Sequence, residues 1–172
     1  MSKKTFQRKR FLLSFFIIVV SICILGTAIY KISKRNEVIK NAKNLPSFSF
    51  LNQKGLSVFS DSIIHSNKVI INFFSPSCEH CQYIAKTLFQ KRDTIKDMQI
   101  FMISQESALD IRRFSTEYHL DSIPSIVLLR DAKYEFENIF GTSIIPSFFV
   151  YRNKKLTKKV LGETDLSHLI GE

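Results

Sequence analysis

Two cysteines separated by two residues, Cys78 and Cys81, constrain this chain more than any other feature. The apolar run at residues 69–74 precedes them and is typical of a strand that is buried on both faces. Apolar residues then recur at helical spacing over residues 83–89. A strand, a short turn, a Cys-x-x-Cys motif and a helix, in that order, are typical of a dithiol that exchanges two electrons with other thiols and disulfides.

The position of the two cysteines predicts different roles for them. Residues three apart lie on one face of a helix, so the two sulfurs can meet with ordinary disulfide geometry. Cys78 lies at the predicted helix N-terminus, where unpaired N–H groups and the helix dipole favour a thiolate. We therefore expect Cys78 to be the exposed nucleophile and Cys81 to be the resolving cysteine. A protonated His80 would favour the thiolate further, whereas Glu79 would oppose it.

Other readings of a cysteine pair are a permanent structural disulfide or half of a zinc site. A four-ligand zinc site usually needs a second ligand pair, and the sequence contains no second Cys-x-x-Cys and no His-x-x-x-His. No peroxidase-type motif surrounds Cys78 either. The sequence therefore predicts no metal and no cofactor.

The formal net charge of +10 is concentrated near the N-terminus. Residues 1–43 contain ten of the 25 Lys and Arg residues and one of the 15 acidic residues, Glu37. The remainder of the chain is almost neutral, which argues against a phosphate-binding patch and against nucleic acid as a partner.

Residues 11–30 contain no charged side chain and match the length of a helix that crosses a bilayer. A cleaved signal peptide would usually have a shorter apolar region, and a lipid anchor on Cys23 would need a small residue before it. We expect residues 1–10 to be a cytoplasmic basic terminus, residues 11–30 an uncleaved signal-anchor helix and residues 31–44 a linker. Residues 45–172 would then be a single extracytoplasmic, periplasmic domain of an inner-membrane protein.

Strands and helices alternate along this predicted domain. The pattern indicates an opening hairpin within residues 45–59 and further strands at residues 69–74, 99–103, 126–129, 147–151 and 156–161. Helical patterns follow the cysteines and recur at residues 107–118, 134–140 and 164–170. This alternation predicts an α/β fold, with a central mixed sheet covered by helices on both faces.

The segment at residues 71–81 resembles the active-site segment of the TlpA/ResA-like thioredoxin family. The opening Pro46-x-Phe48 and the later residues 144–150 resemble that family as well. The resemblance covers nearly all of residues 45–171 and implies a thioredoxin-like fold in a membrane-anchored, extracytoplasmic thiol–disulfide oxidoreductase.

Several site residues follow from the resemblance alone. It implies that Pro146 is cis and faces the cysteines, and that the backbone of Ile145 pairs with a substrate chain. It implies that Glu106 lies near the cysteine pair and could accept a proton from Cys81. The other reading of Glu106 is an acid at a helix N-terminus, favoured by the dipole. Asn72 would be a buried hydrogen-bonding residue rather than a proton acceptor.

Residues of the motif indicate opposite directions of electron flow. The family usually has Trp near the motif, and this chain has none. Glu79 is typical of reductive relatives and His80 of strong oxidants. We expect a reductase of disulfides in exported proteins, for instance in cytochrome c maturation, supplied with electrons by a membrane thiol–disulfide donor. The alternatives are a disulfide oxidase or folding catalyst on the same scaffold, and a non-catalytic binding or sensing module.

Overall fold

The computed structural model describes residues 2–63 and 66–171, and the chain divides into two compact units, Met1–Val38 and Ile39–Glu172. Helix α1 spans Ser2–Asn41 and accounts for the first unit. The second unit contains every strand and both cysteines of the motif. It begins at Ile39, ahead of the domain start at Leu45 that the sequence predicts.

The predicted membrane span, residues 11–30, lies within α1. The side chains at positions 11–15, 17 and 19 lie outside the described residues. Among the residues that the structure does describe, no helix combines the length and the apolar character needed to cross a bilayer.

The elements of the second unit alternate as the sequence predicts. The strands are β1 (Ser49–Leu51), β2 (Ser57–Phe59), β3 (Lys68–Phe73), β4 (Gln99–Ser104), β5 (Ile126–Arg130), β6 (Ser147–Arg152) and β7 (Lys155–Leu161). The helices are α2 (Ser60–Ile63), α3 (Glu79–Gln90), α4 (Ala108–Glu117), α5 (Phe136–Phe140) and α6 (Leu166–Ile170), with a 3-10 turn at Leu120–Ser122.

The described strands form one mixed sheet in the order β2-β1-β5-β4-β3-β6-β7. Strands β3, β4 and β5 are parallel, whereas β6 pairs antiparallel with β3, and β7 pairs antiparallel with β6. The hairpin β1–β2 joins the other side antiparallel to β5. This confirms the predicted α/β class with a central mixed sheet. It also makes β3 a central strand. The segment with the two cysteines therefore starts at the carboxyl end of a strand in the interior of the sheet.

Each face of the sheet carries its own hydrophobic cluster, because successive side chains of a strand point to opposite faces. Ile70 of β3 belongs to the cluster under α3, α4 and α6, which also contains Cys81, Ile84 and Leu88. Ile71 and the aromatic residues around α5 belong to the other cluster, where the rings of Phe73 and Phe136 stack 4.1 Å apart. Both faces of β3 are thus packed, which fixes the end of the strand that precedes the cysteines.

Candidate active site

The two cysteines lie at the start of α3, after the turn that follows β3. Cys78 is the N-cap of α3, with an extended backbone, and its N–H donates to Ser75 O at 3.1 Å. The carbonyl of Cys78 accepts from Gln82 N at 3.0 Å, and the Gln82 side chain donates to Pro76 O at 2.9 Å. The turn between strand and helix is therefore held on both sides, and it places Cys78 beside the first, unpaired N–H groups of the helix.

The two thiols differ in exposure and in acidity. Cys78 is half-buried, Cys81 is 2% exposed, and no disulfide joins them in this structure. Burial raises the pKa of Cys81 to about 12, and a side-chain hydrogen bond with Cys78 acts in the same direction. A hydrogen bond to the backbone of Ser75 opposes this shift. The site therefore holds one thiol that a large substrate can reach and a second thiol that stays protonated behind it.

Ser75 connects the cysteine pair to Glu106. Its hydroxyl lies 3.0 Å from Ser77 Oγ and donates to Glu106 Oε1 at 3.3 Å. The backbone of Glu106 is fixed as well, since Glu106 N donates to Ser104 Oγ at 3.2 Å and Arg130 Nε donates to Glu106 O at 3.0 Å. The structure thus connects the exposed carboxylate of Glu106 to Cys81 through one intervening serine. No local sequence pattern singles out Ser75.

His80 is paired with a carboxylate from a distant part of the chain. Its Nε2 contacts Glu163 Oε1, and the two side chains are 53% and 67% exposed. Both residues border a cavity of about 210 Å³ between α3 and the loop after β7. The residues that line this cavity are His80, Tyr83, Ile84, Pro146, Glu163, Thr164 and Asp165. Glu163 is not predictable from the sequence, because no local pattern links the end of β7 to the Cys-x-x-Cys motif.

Pro146 precedes β6 and lies on the same side of the molecule as His80. The Ile145–Pro146 peptide bond is cis, the isomer that the family resemblance implies. Pro146 is buried, whereas Ile145 is 38% exposed. The cavity shared with His80 brings the start of β6 to the N-terminal end of α3.

Asn72 lies inside the sheet below the motif. It is 2% exposed, and its Nδ2 donates to Ser147 O at 3.2 Å and to Phe73 O at 3.4 Å. The bond to Ser147 ties β3 to the first residue of β6. Asn72 thus helps to hold the cysteine segment and the Pro146 segment side by side.

The predicted site residues come together at one edge of the sheet, with different degrees of contact. Cys78, Cys81, Glu79 and His80 share the first turn of α3. Within the described ranges, no group of three His, Cys, Asp or Glu side chains is placed to hold a metal ion. The accessible thiol lies at a helix N-terminus, in hydrogen-bond contact with a second thiol. Such a thiol can attack a disulfide, and the resulting mixed disulfide can then be resolved by the second thiol.

Comparison with protein families identifies one match over more than half of the chain. The family model described as Thioredoxin matches residues 50–143, which include both cysteines and Glu106 and end before Pro146. A curated relative, the chloroplastic thioredoxin Y1 of Arabidopsis thaliana, is 26% identical over 77 residues. That alignment covers 44% of this chain and 43% of the relative, so the chain matches less than half of that protein's length.

Solved structures share the fold at low sequence identity. A secreted Mycobacterium tuberculosis disulfide oxidoreductase, described as homologous to E. coli DsbE, superposes with a TM-score of 0.60 and 17% identity. That superposition covers 77% of this chain and 95% of the other. A thiol–disulfide oxidoreductase from Bacteroides fragilis gives a TM-score of 0.58 at 17% identity, over 75% of this chain and 96% of the other. At this identity the likeness establishes the fold.

Proposed function

The chain belongs to the thioredoxin family of thiol–disulfide oxidoreductases, and from that premise we propose that its Cys78/Cys81 dithiol reduces disulfides in exported proteins. The observation that supports this most directly is the asymmetry of the pair. Cys78 is accessible at a helix N-cap, and Cys81 is buried with a raised pKa. Thiol–disulfide exchange needs this arrangement, because one sulfur must form the mixed disulfide with the substrate and the second sulfur must then resolve it.

The reaction has two exchange steps. The Cys78 thiolate attacks one sulfur of the substrate disulfide, the substrate S–S bond breaks, and the leaving sulfur takes up a proton as the first substrate thiol. Cys81 then gives up its proton and attacks Cys78 Sγ, which breaks the mixed disulfide and releases the second substrate sulfur as a thiol. The substrate gains two electrons and two protons, and Cys78 and Cys81 become a disulfide. A membrane thiol–disulfide donor would return the pair to the reduced state.

Substrate chains are proposed to align along Ile145. Ile145 is 38% exposed directly before Pro146 and β6, which supports antiparallel pairing of its main chain with an extended segment. Main-chain pairing tolerates many sequences, which suits an enzyme that acts on several exported proteins. The apocytochrome c cysteines are one candidate substrate of this kind.

The narrower TlpA/ResA-like assignment and the membrane anchor belong to the same proposal. They are supported by the motif segment at residues 71–81 and by the uncharged residues 11–30 between two basic clusters. Phe16, Ile22 and Leu25 in that stretch are each 65% exposed, so an apolar surface is available to lipid. An extracytoplasmic domain on such an anchor would meet proteins as they leave the membrane.

The test is reduction of insulin by the full-length protein with dithiothreitol as electron source. We expect the wild-type protein to accelerate insulin precipitation and Cys78→Ser to abolish the acceleration. Cys23→Ser is the matched control, because it removes a thiol from α1 and leaves the motif intact; it should retain full activity. Full activity in Cys78→Ser would disprove the assignment.

A disulfide oxidase on the same scaffold is the second candidate, and His80 favours it. A cationic imidazole beside Cys78 stabilises the thiolate and hence the reduced form, which makes a dithiol a stronger oxidant. The reduction potential separates the two candidates. A value near that of thioredoxin, about −270 mV, supports the reductase, and a value near −120 mV supports the oxidase.

A further inference from the structure

Glu163 lies on a loop that is anchored at both ends beside the cysteines. On one side, Gly162 N donates to Pro146 O at 2.8 Å, so the end of β7 is fixed to the cis-proline segment. Gly162 has a φ of +90°, a conformation that favours glycine, and there the chain turns towards α3. On the other side, α6 begins after Asp165, and its residues Leu166 and Leu169 pack in the cluster that contains Ile84 of α3.

This double anchoring makes the contact between Glu163 and His80 a property of the fold. The two ends of the loop are held by the sheet and by the hydrophobic cluster. The backbone of Glu163 is consequently held near the first turn of α3, and its carboxylate contacts the His80 side chain there. Two exposed side chains that meet only by chance would lose most of their interaction to side-chain entropy. A carboxylate on an anchored loop loses less of its interaction energy, because the loop backbone is already ordered.

We propose that Glu163 is a positioning residue that acts through His80 to keep the dithiol reducing. A protonated His80 places a positive charge next to Cys78 and stabilises the thiolate, which shifts the pair towards the reduced form and makes it a better oxidant. The Glu163 carboxylate offsets that charge. The reduced pair is then stabilised less and gives up its two electrons to a substrate disulfide more readily. This inference rests on the proposed function and accounts for a histidine that is otherwise typical of oxidants.

Other charged groups near His80 define what the test must separate. Asp165 and Tyr83 border the same cavity, and Glu79 precedes His80 in α3. Asp165 carries the same charge on the same loop as Glu163, but the contact to the imidazole is made by Glu163. If only the loss of a negative charge mattered, Asp165→Asn would change the redox equilibrium as much as Glu163→Gln does. If the effect passes through His80, it would not.

The experiment measures the thiol–disulfide equilibrium of the full-length protein with glutathione. At pH 6, where imidazoles are largely protonated, Glu163→Gln should shift the equilibrium constant towards the reduced dithiol by about threefold, because the unpaired imidazolium then stabilises the thiolate. That change corresponds to about 14 mV at 29.6 mV per tenfold. The shift should shrink at pH 8, where imidazoles are largely neutral.

Two further variants decide whether the effect passes through His80. In a His80→Gln background, Glu163→Gln should leave the equilibrium unchanged, and in the wild-type background Asp165→Asn should shift it clearly less than Glu163→Gln does. An unshifted equilibrium in Glu163→Gln, an equal shift in Asp165→Asn, or a shift that persists without His80 would each overturn the inference. The insulin assay distinguishes this from failure of the proposed function, because a protein that reduces insulin but shows no Glu163 effect refutes only the role of Glu163.

Discussion

At the scale of single residues, deprotonation of the buried Cys81 thiol is the demanding step of the reaction. The pKa of Cys81 is raised to about 12, so Cys81 is protonated at neutral pH and must lose its proton before it can attack. Ser75 contacts Cys81 through its backbone and Glu106 through its hydroxyl. Ser75 thus lies between Glu106 and Cys81, and the role of Glu106 as acceptor of the Cys81 proton stays a prediction.

Replacing Glu106 tests this role. If Glu106 receives the Cys81 proton, Glu106→Gln should slow release of the mixed disulfide by about 100-fold at pH 7, the lower end of what a positioned acid–base group contributes. The first attack by Cys78 should keep its rate. Rapid-quench kinetics with an acid-trapped mixed disulfide resolve the two steps.

Glu117→Gln is the matched control for that substitution. Glu117 borders the same surface groove as Glu106, and it belongs to the far end of α4. It should leave both rates unchanged. Equal release rates in Glu106→Gln and the wild type would leave Glu106 as a simple helix N-terminal acid.

The sequence predicts the residues of this site only where the signal is local. The spacing of Cys78 and Cys81 and the helix that follows them are sufficient to assign an exposed and a buried sulfur. Glu163 carries no such signal, because its link to His80 depends on where β7 ends and how α6 packs. Ser75 is likewise an ordinary turn residue until Glu106 is placed next to it.

At the scale of elements, the residues that follow α1 pair with the sheet of the second unit. Tyr151 Oη donates to Ala42 O at 3.0 Å, Leu156 N donates to Lys43 O at 2.8 Å, and Asn44 forms a bridge to Lys155. Ala42 is buried. Residues 42–44 therefore act as an addition to the edge of the sheet, although their polar composition suggests a linker.

Two fragments of different length test this boundary. A fragment of Leu45–Glu172 should unfold with a free energy about 2 kcal/mol lower than Ile39–Glu172, because removal of the Ala42 carbonyl leaves the buried Tyr151 hydroxyl unpaired. Urea denaturation followed by circular dichroism measures the difference. In the longer fragment, Tyr151→Phe removes this one hydrogen bond and should account for part of the loss. Equal midpoints for the two fragments would return residues 39–44 to a linker.

Strands and helices were predictable where burial repeats along the chain. Strand β3 is largely apolar on both faces because a hydrophobic cluster covers each face of the sheet there, and its sequence shows this directly. The contacts of residues 42–44 were not predictable, since they are mostly made by backbone groups, which leave no trace in the side-chain pattern.

At the scale of the whole molecule, two buried acidic groups make the reduced protein sensitive to alkali. Burial raises the pKa of Cys81 to about 12 and also raises the pKa of Tyr151. Both groups keep their protons in the folded state at a pH where the unfolded chain has lost them. The folded state then binds more protons than the unfolded state, so stability is fully present below about pH 9 and falls as the pH rises further.

This dependence gives a measurable slope. Between pH 8 and pH 10.5 the reduced protein should lose about 2 kcal/mol of unfolding free energy through Cys81, at 1.4 kcal/mol for each pH unit above about 9. Urea denaturation at intervals of half a pH unit, with a phosphine reductant, provides the curve. Cys81→Ser should flatten the slope whatever its overall stability, and Cys23→Ser should keep it. A slope that is unchanged in Cys81→Ser would place the alkaline sensitivity elsewhere.

The order of the strands also determines how late in synthesis the residues of the site come together. Strand β3 carries the motif at its end, yet one of its two partners, β6, begins only at Ser147. Pairings between segments so far apart along the chain form late and slowly. A nascent chain would therefore present Cys78 for a considerable time before β6 pairs with β3 and before Pro146 and Glu163 reach the cavity beside His80. During that interval the thiol can form disulfides with other cysteines of newly made chains, so any route by which the chain is made has to keep Cys78 protected.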